Sequence, residues 1–150
     1  MRRGRAGHGD DRGAAVLTEP EALELASWSR RAVGALPDWV APVVLSFAAR
    51  WWVGGAFGLA VSFVAGAWVL ANGWWNGTSG QSVGKRLAGL RVLGEVTAEP
   101  IGGRRGLLRV LAHLVDSLAC YVGWLLPLGD AKRQTIGDKI MRTLVVVNPR

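Results

Sequence analysis

The chain has 150 residues, half of them hydrophobic, with 18 basic against 11 acidic side chains and a net charge of +7. A single cysteine, Cys120, and two histidines, His8 and His113, exclude an internal disulfide framework and any ordinary cysteine or histidine metal cluster. The length suits one domain, yet no charged residue occurs between Trp51 and Gly84, so charge is segregated as it is not in a soluble domain.

Residues 1–27 mix Gly, Arg and acidic residues without an apolar period and read as a flexible basic tail. The start is positive, as in a signal peptide, but no apolar run of the required length follows. The first apolar segment is therefore expected to remain as a membrane anchor. Thr18 and Glu21 stand at capping-box spacing, which allows a short amphipathic turn over Leu17 to Leu25.

Between Ala32 and Ala49 the only charged residue is Asp38, and between Val53 and Ala71 there is none. Each stretch approaches the ~20 residues that cross a bilayer. The tryptophans give an independent ruler: Trp28, the pair Trp51 and Trp52, and the pair Trp74 and Trp75 recur every 23 residues. At ~1.5 Å per helical residue that repeat is about 35 Å, a hydrocarbon core with the edge of each interface. Three aromatic belts predict two transmembrane helices joined by a tight turn. Small residues in the second helix (Gly54, Gly55, Gly58, Ala60, Ser62, Ala65, Gly66) allow close approach of another backbone.

The loop that follows contains GQSVGKR, which differs from a phosphate-binding loop in having three residues between its glycines and Arg86 after the lysine. Nucleotide binding is excluded on that ground. Val83, Leu87 and Leu90 fall on one helical face with Lys85, Arg86 and Arg91 flanking. This reads as an amphipathic, cytoplasmic segment among lipid headgroups, attracting anionic lipid at ~1 kcal/mol per basic residue. A glycosylation-type triplet, Asn76-Gly77-Thr78, is discounted because this side reads as cytoplasmic.

A third apolar segment, Leu107 to Leu128, carries Arg109, His113, Asp116, Ser117 and Cys120 on one face. Lipid cannot satisfy such a stripe, so it is expected to face protein. Lys plus Arg number six before the first span, one (Arg50) in the turn, five from Gly73 to Gly106 and five after Leu128. The positive-inside rule puts the N-terminus and the loop in the cytoplasm. The tail joins them only if the third segment enters and returns, with a break near Ser117 or Gly123. Arg91-Val92-Leu93 and Thr143 to Val147 are short strand candidates that pair only on a shared side. The expected class is an all-α membrane protein: two transmembrane helices plus a polar-striped third segment, either a full span or re-entrant.

Five pieces in order carry a resemblance: Arg30-Arg31 at the first span, Asp38 within it, GQSVGKRLAGLRV (Gly80 to Val92), GRRGLLR (Gly103 to Arg109) and RQTIGDKIMRTLVVV (Arg133 to Val147). Together they resemble the RDD family of small bacterial membrane proteins over residues 28–147, leaving 148–150 as a C-terminal end. The family's naming residues map to Arg31, Asp38 and Asp138. Pro37 before Asp38, and Met141-Arg142 where an Ala-Gly pair is usual, depart from the pattern. The resemblance implies a module of the cell membrane for transport of ions or small solutes, or for scaffolding and assembly. It implies no cofactor.

Arg31 and Asp38 are seven residues apart and share a face, but their rise differs by about 10 Å, so Asp38 needs another partner. An unpaired carboxylate in the bilayer costs about 3 kcal/mol on the lenient scale. Arg109 to Asp116 (RVLAHLVD) repeats the pattern of Arg31 to Asp38 (RAVGALPD). The two segments are therefore expected to pack, with Asp38 near Arg109 or His113. Asp38, His113 and Asp116 then form a candidate proton or cation relay, the alternative being interhelix packing alone. No nucleophile stands beside a base, so an enzyme is not expected. The expected partners are the bilayer, anionic lipid, and further copies of the chain or a membrane protein, with no role for nucleic acid.

Overall fold

The computed structural model describes residues 23–148. The expected capping turn at Thr18 and Glu21 lies outside them.

The first span is one 25-residue helix, α1 (Trp28–Trp52), and the second another, α2 (Gly55–Ser79). Ser27 caps α1 by accepting from the Arg30 amide. Pro37, inside α1, cannot donate to the preceding turn, and the helix absorbs the defect as a π-turn over Leu36–Val40. There the Ala41 amide reaches back five residues to the Leu36 carbonyl, while the indole of Trp68 on α2 donates to the Pro37 carbonyl at 3.0 Å. The turn between the spans is tight because Gly54 and Gly55 both take positive φ, at +66° and +53°. Gly80, left-handed, ends α2.

A five-residue helix, α3 (Val83–Leu87), leads into strand β1 (Leu90–Gly94). Helix α4 (Gly103–Leu118) follows, then α5 (Val122–Leu128), set at 104° to α4. The break falls between them, where Cys120 and Tyr121 have positive φ. Helix α6 (Ile136–Met141) starts at a capping box in which Thr135 accepts from the Asp138 amide, and strand β2 (Thr143–Val147) ends the described chain. Strands β1 and β2 are antiparallel, with Leu90 opposite Val147 and Gly94 opposite Thr143.

The chain is mostly helical rather than all-α, since the two short strand candidates do pair. Residues just before Trp28, expected in the tail, also join the sheet. Leu25 bridges Val146, and the Ala26 amide donates to the Val145 carbonyl at 2.9 Å. Ala26, Leu90, Val92 and Val145 form the small apolar core there. The segments before α1, after α2 and after α5 thus meet in one sheet.

Helices α2 and α4 cross at glycines. A methyl on Gly77 would collide with the Gly102 carbonyl, and one on Gly106 with the Gly73 carbonyl. Of the small residues expected to mediate contact, Gly58 packs against Ala49 and Arg50, while Gly66 faces open space. The close approach to α4 uses Gly73 and Gly77, one helical turn apart, and these positions sequence reading left out.

Candidate functional site

Where α1, α2 and α4 meet the sheet end, a cavity of about 120 Å³ is lined by Arg31, Asp38, Lys85, Arg109, His113 and Asp138, among others. It therefore contains all three residues mapped to the family signature. The sequence dictates much of this. The buried positions of α4 are Gly103, Gly106, Arg109, Ala112, His113 and Asp116, a single stripe at steps of three and four, while Leu108, Leu111, Leu114, Val115 and Leu118 point outward. Arg109, His113 and Asp116 of the polar stripe face protein as expected, but Ser117 is only half-buried and Cys120, at the break after the helix, is exposed.

Asp138 is the centre of the charge network. Arg31 Nη1 donates to its Oδ2 at 2.7 Å, and Arg109 Nη2 donates to its Oδ1. Arg109 Nε donates to the Thr143 hydroxyl at 3.2 Å, which lies 3.3 Å from Asp138 Oδ1. Burial pushes the Asp138 carboxyl up, but Arg109, His113 and Arg31 together outweigh it and hold the group well below the usual carboxylate range. One fully buried carboxylate thus ties the first span, α4 and the tail together.

Asp38 has different partners from those expected. Its oxygens accept from the Ser82 hydroxyl at 2.5 Å and the Gly84 amide at 2.8 Å. It pairs with neither Arg109 nor His113. The physical reason is the close approach of α3 to α1: Gly84 sits so near Gly34 that a methyl on it would overlap the Gly34 carbonyl. That contact brings two neutral donors to Asp38 before any cation can reach it. The second carboxylate of the internal repeat, Asp116, also goes elsewhere. It accepts from His113 Nδ1 at 2.7 Å and from the amides of Ile136 and Gly137 at 2.8 and 3.1 Å. So the two arginines of the repeat converge on Asp138, the two aspartates diverge, and α1 and α4 flank a cavity instead of packing face to face. His113 stacks on Trp124, with ring centroids 4.9 Å apart, and Trp124 donates its indole N–H to Ser117.

The basic loop is not a single headgroup-facing surface. Lys85 lines the cavity, Arg86 is exposed, and Arg91 is half-buried with its Nε donating to the Ser79 carbonyl at 3.2 Å. Helix α3 stops at Leu87 because Leu90 already belongs to β1, which breaks up the amphipathic face expected over Val83 to Leu90. Burial, and after it Arg109, push the Lys85 amine down to about 8.

Sequence reading missed Asn72 and Asn76, both buried on α2. Asn72 Oδ1 accepts from the Val83 amide at 2.9 Å and so fixes the start of α3. Their spacing of four within an apolar helix, each beside one of the contact glycines, was the available signal. Thr135 was legible too, as the N-cap of T-x-x-D.

The RDD family model matches residues 25–142. Over 74 residues, 49% of the chain, it is 49% identical to the proline-rich antigen homolog of Mycobacterium tuberculosis. Over 85 residues it is 44% identical to the proline-rich antigen of Mycobacterium leprae. These matches span 31% and 34% of the relatives, so the chain covers about a third of the length of the curated relatives it matches. No solved structure matches it.

Proposed function

The chain belongs to the RDD family of membrane proteins, and from that premise we propose that it moves a small ion or small solute across the cell membrane by way of the polar cavity. The observation that carries the reading is the cavity itself: six ionisable side chains, Arg31, Asp38, Lys85, Arg109, His113 and Asp138, around one void beside two span-length helices. Ionisable groups at membrane depth mark ion and substrate pathways by default. The void is well below the roughly 300 Å³ at which pockets hold drug-sized molecules, which favours an ion or a very small solute. His113 and Asp116 are the pair through which proton or cation coupling would run. Two spans do not enclose a path, so the reading includes further copies of the chain or a membrane partner. It includes no catalytic step.

In this reading the N-terminus is cytoplasmic, and α4 with α5 forms a re-entrant segment that returns the tail to the same side. The 104° break and the pairing of β1 with β2 support it. Labelling of a cysteine placed at Asn148, with Cys120 replaced, is expected only after permeabilisation; labelling in intact cells overturns the topology. For function, the protein is reconstituted in vesicles loaded with a pH dye and exposed in turn to sodium and phosphate gradients. Flux at least tenfold above empty vesicles, lost in Asp38→Asn at equal protein density, is the expected result. A second reading, a scaffold, is favoured by one fact: every carboxylate oxygen of Asp38, Asp116 and Asp138 already accepts a hydrogen bond. It predicts no flux and an Asp38→Asn protein that still holds a partner through the loop or tail.

A further inference from the structure

The cavity is lined by three cations, Arg31, Lys85 and Arg109, against two carboxylates, Asp38 and Asp138. Both carboxylates are fully used, their four oxygens accepting from Gly84, Ser82, Arg109 and Arg31. The cationic side is not. Among the described residues Arg31 donates only through Nη1, and its buried Nε and Nη2 find no acceptor. Those two nitrogens form one edge of the guanidinium, with parallel N–H bonds that match two oxygens of a single carboxylate or phosphate group. Among the described residues Lys85 has no acidic partner within ion-pair distance. Asn76 also lines the cavity, and its buried Oδ1 is an acceptor to which none of the described residues donates. Buried donors are rarely left unpaired in native proteins, and a cluster of them beside a void calls for an occupant that accepts. Trp28, Trp39 and Trp124 complete the wall, and tryptophan favours the depth at which lipid headgroups lie.

We infer that the cavity is a binding site for a phosphate group, held by the Nε and Nη2 edge of Arg31 and the ammonium of Lys85, with Asn76 accepting from a hydroxyl on the same ligand. The site uses the cavity of the transport reading but does not require flux. The group has two sources, free inorganic phosphate or the headgroup of a phosphatidylglycerol. Lys85, placed above among residues that meet headgroups from the loop surface, would then act from inside the protein.

The test uses the full chain purified in an uncharged maltoside detergent and phosphate-free buffer. Inorganic phosphate and short-chain phosphatidylglycerol are titrated separately, followed by tryptophan emission and by native mass spectrometry. Saturable one-to-one binding of at least one is expected, and which one binds names the source. Lys85→Gln and Arg31→Lys should each weaken binding about tenfold or more, whereas Arg104→Gln, at an exposed site on α4, should leave it unchanged. Lys85→Gln removes no side-chain hydrogen bond among the described residues and takes away a buried charge, so at neutral pH it should melt cooperatively and no lower than the parent, which keeps the result independent of folding. Binding by neither ligand, binding unaltered in Lys85→Gln, or an equal loss in Arg104→Gln overturns the inference. Binding without vesicle flux defeats only the transport reading, and flux without binding defeats only this one.

Discussion

The two ends of the helical hairpin solve the same problem in opposite ways. Toward the turn, Val43, Val44, Leu45, Phe47, Trp51, Trp52, Phe57 and Phe63 are all exposed, and this end presents apolar surface outward on nearly every side. Toward the sheet, Asp38, Asn72, Arg109, Asp116 and Asp138 are buried, and almost every polar atom has a partner within the chain. In water the first end would be a fault and the second an ordinary interior. In a bilayer the first needs only lipid, while the second must supply every hydrogen bond that lipid withholds. The fold is thus held mainly by the polar end.

Breaking the polar end should therefore cost far more than trimming the apolar one. Asp138→Asn leaves Arg31 and Arg109 facing each other without a counter-charge, and a loss of about 3–5 kcal/mol is expected, read as collapse of the monodisperse peak in detergent. The parent should show the same sensitivity to acid. Because the Asp138 carboxyl titrates lower when folded than its ordinary 3.8, its contribution is present above that value and is lost as pH falls below it toward the folded value. Asp138→Asn should not show that step.

Gly106→Ala comes next. Its methyl meets the backbone of Gly73 and Gly77, which cannot turn aside as a side chain can, and about 1–3 kcal/mol or more should be lost in a thermal melt. Lys85→Gln should melt no lower than the parent at neutral pH and carry its own pH signature. The amine is held at about 8 in the fold against 10.5 when unfolded, so the parent should gain stability as pH rises from 8 toward 10.5, and the variant should not. Phe47→Ala, at 69% exposure on the apolar end, should change the melt by no more than about 0.5 kcal/mol. A large loss there would mean that another protein covers this face.

The apolar end was legible in the sequence because its signals are periodic: the 23-residue tryptophan ruler and the charge-free runs between its marks. The stripe on α4 was legible for the same reason over Arg109, His113 and Asp116, and β2 from its β-branched run, Thr143 to Val147. The polar end was only half legible. Its members, Arg31, Asp38, Arg109, His113, Asp116 and Asp138, stand out as charges near or within apolar segments, but their pairing depends on contacts across as many as 107 residues. The expected Asp38 partner was wrong because Ser82 and Gly84 look like loop residues until the glycine contact between α1 and α3 is known. Lys85 was assigned to a surface for the same reason.

The register of β1 with β2 also sets an order of events. Helices α1 and α2 can enter the bilayer while the rest of the chain is still being made, but the carboxylate that neutralises Arg31 and Arg109 arrives with α6, and the strand that closes the sheet comes after it. During synthesis the protein therefore passes through an interval in which its two buried guanidiniums lack their carboxylate. Assembly is completed from the C-terminal side, and a nascent chain halted before residue 138 would hold the spans without the clasp that joins them.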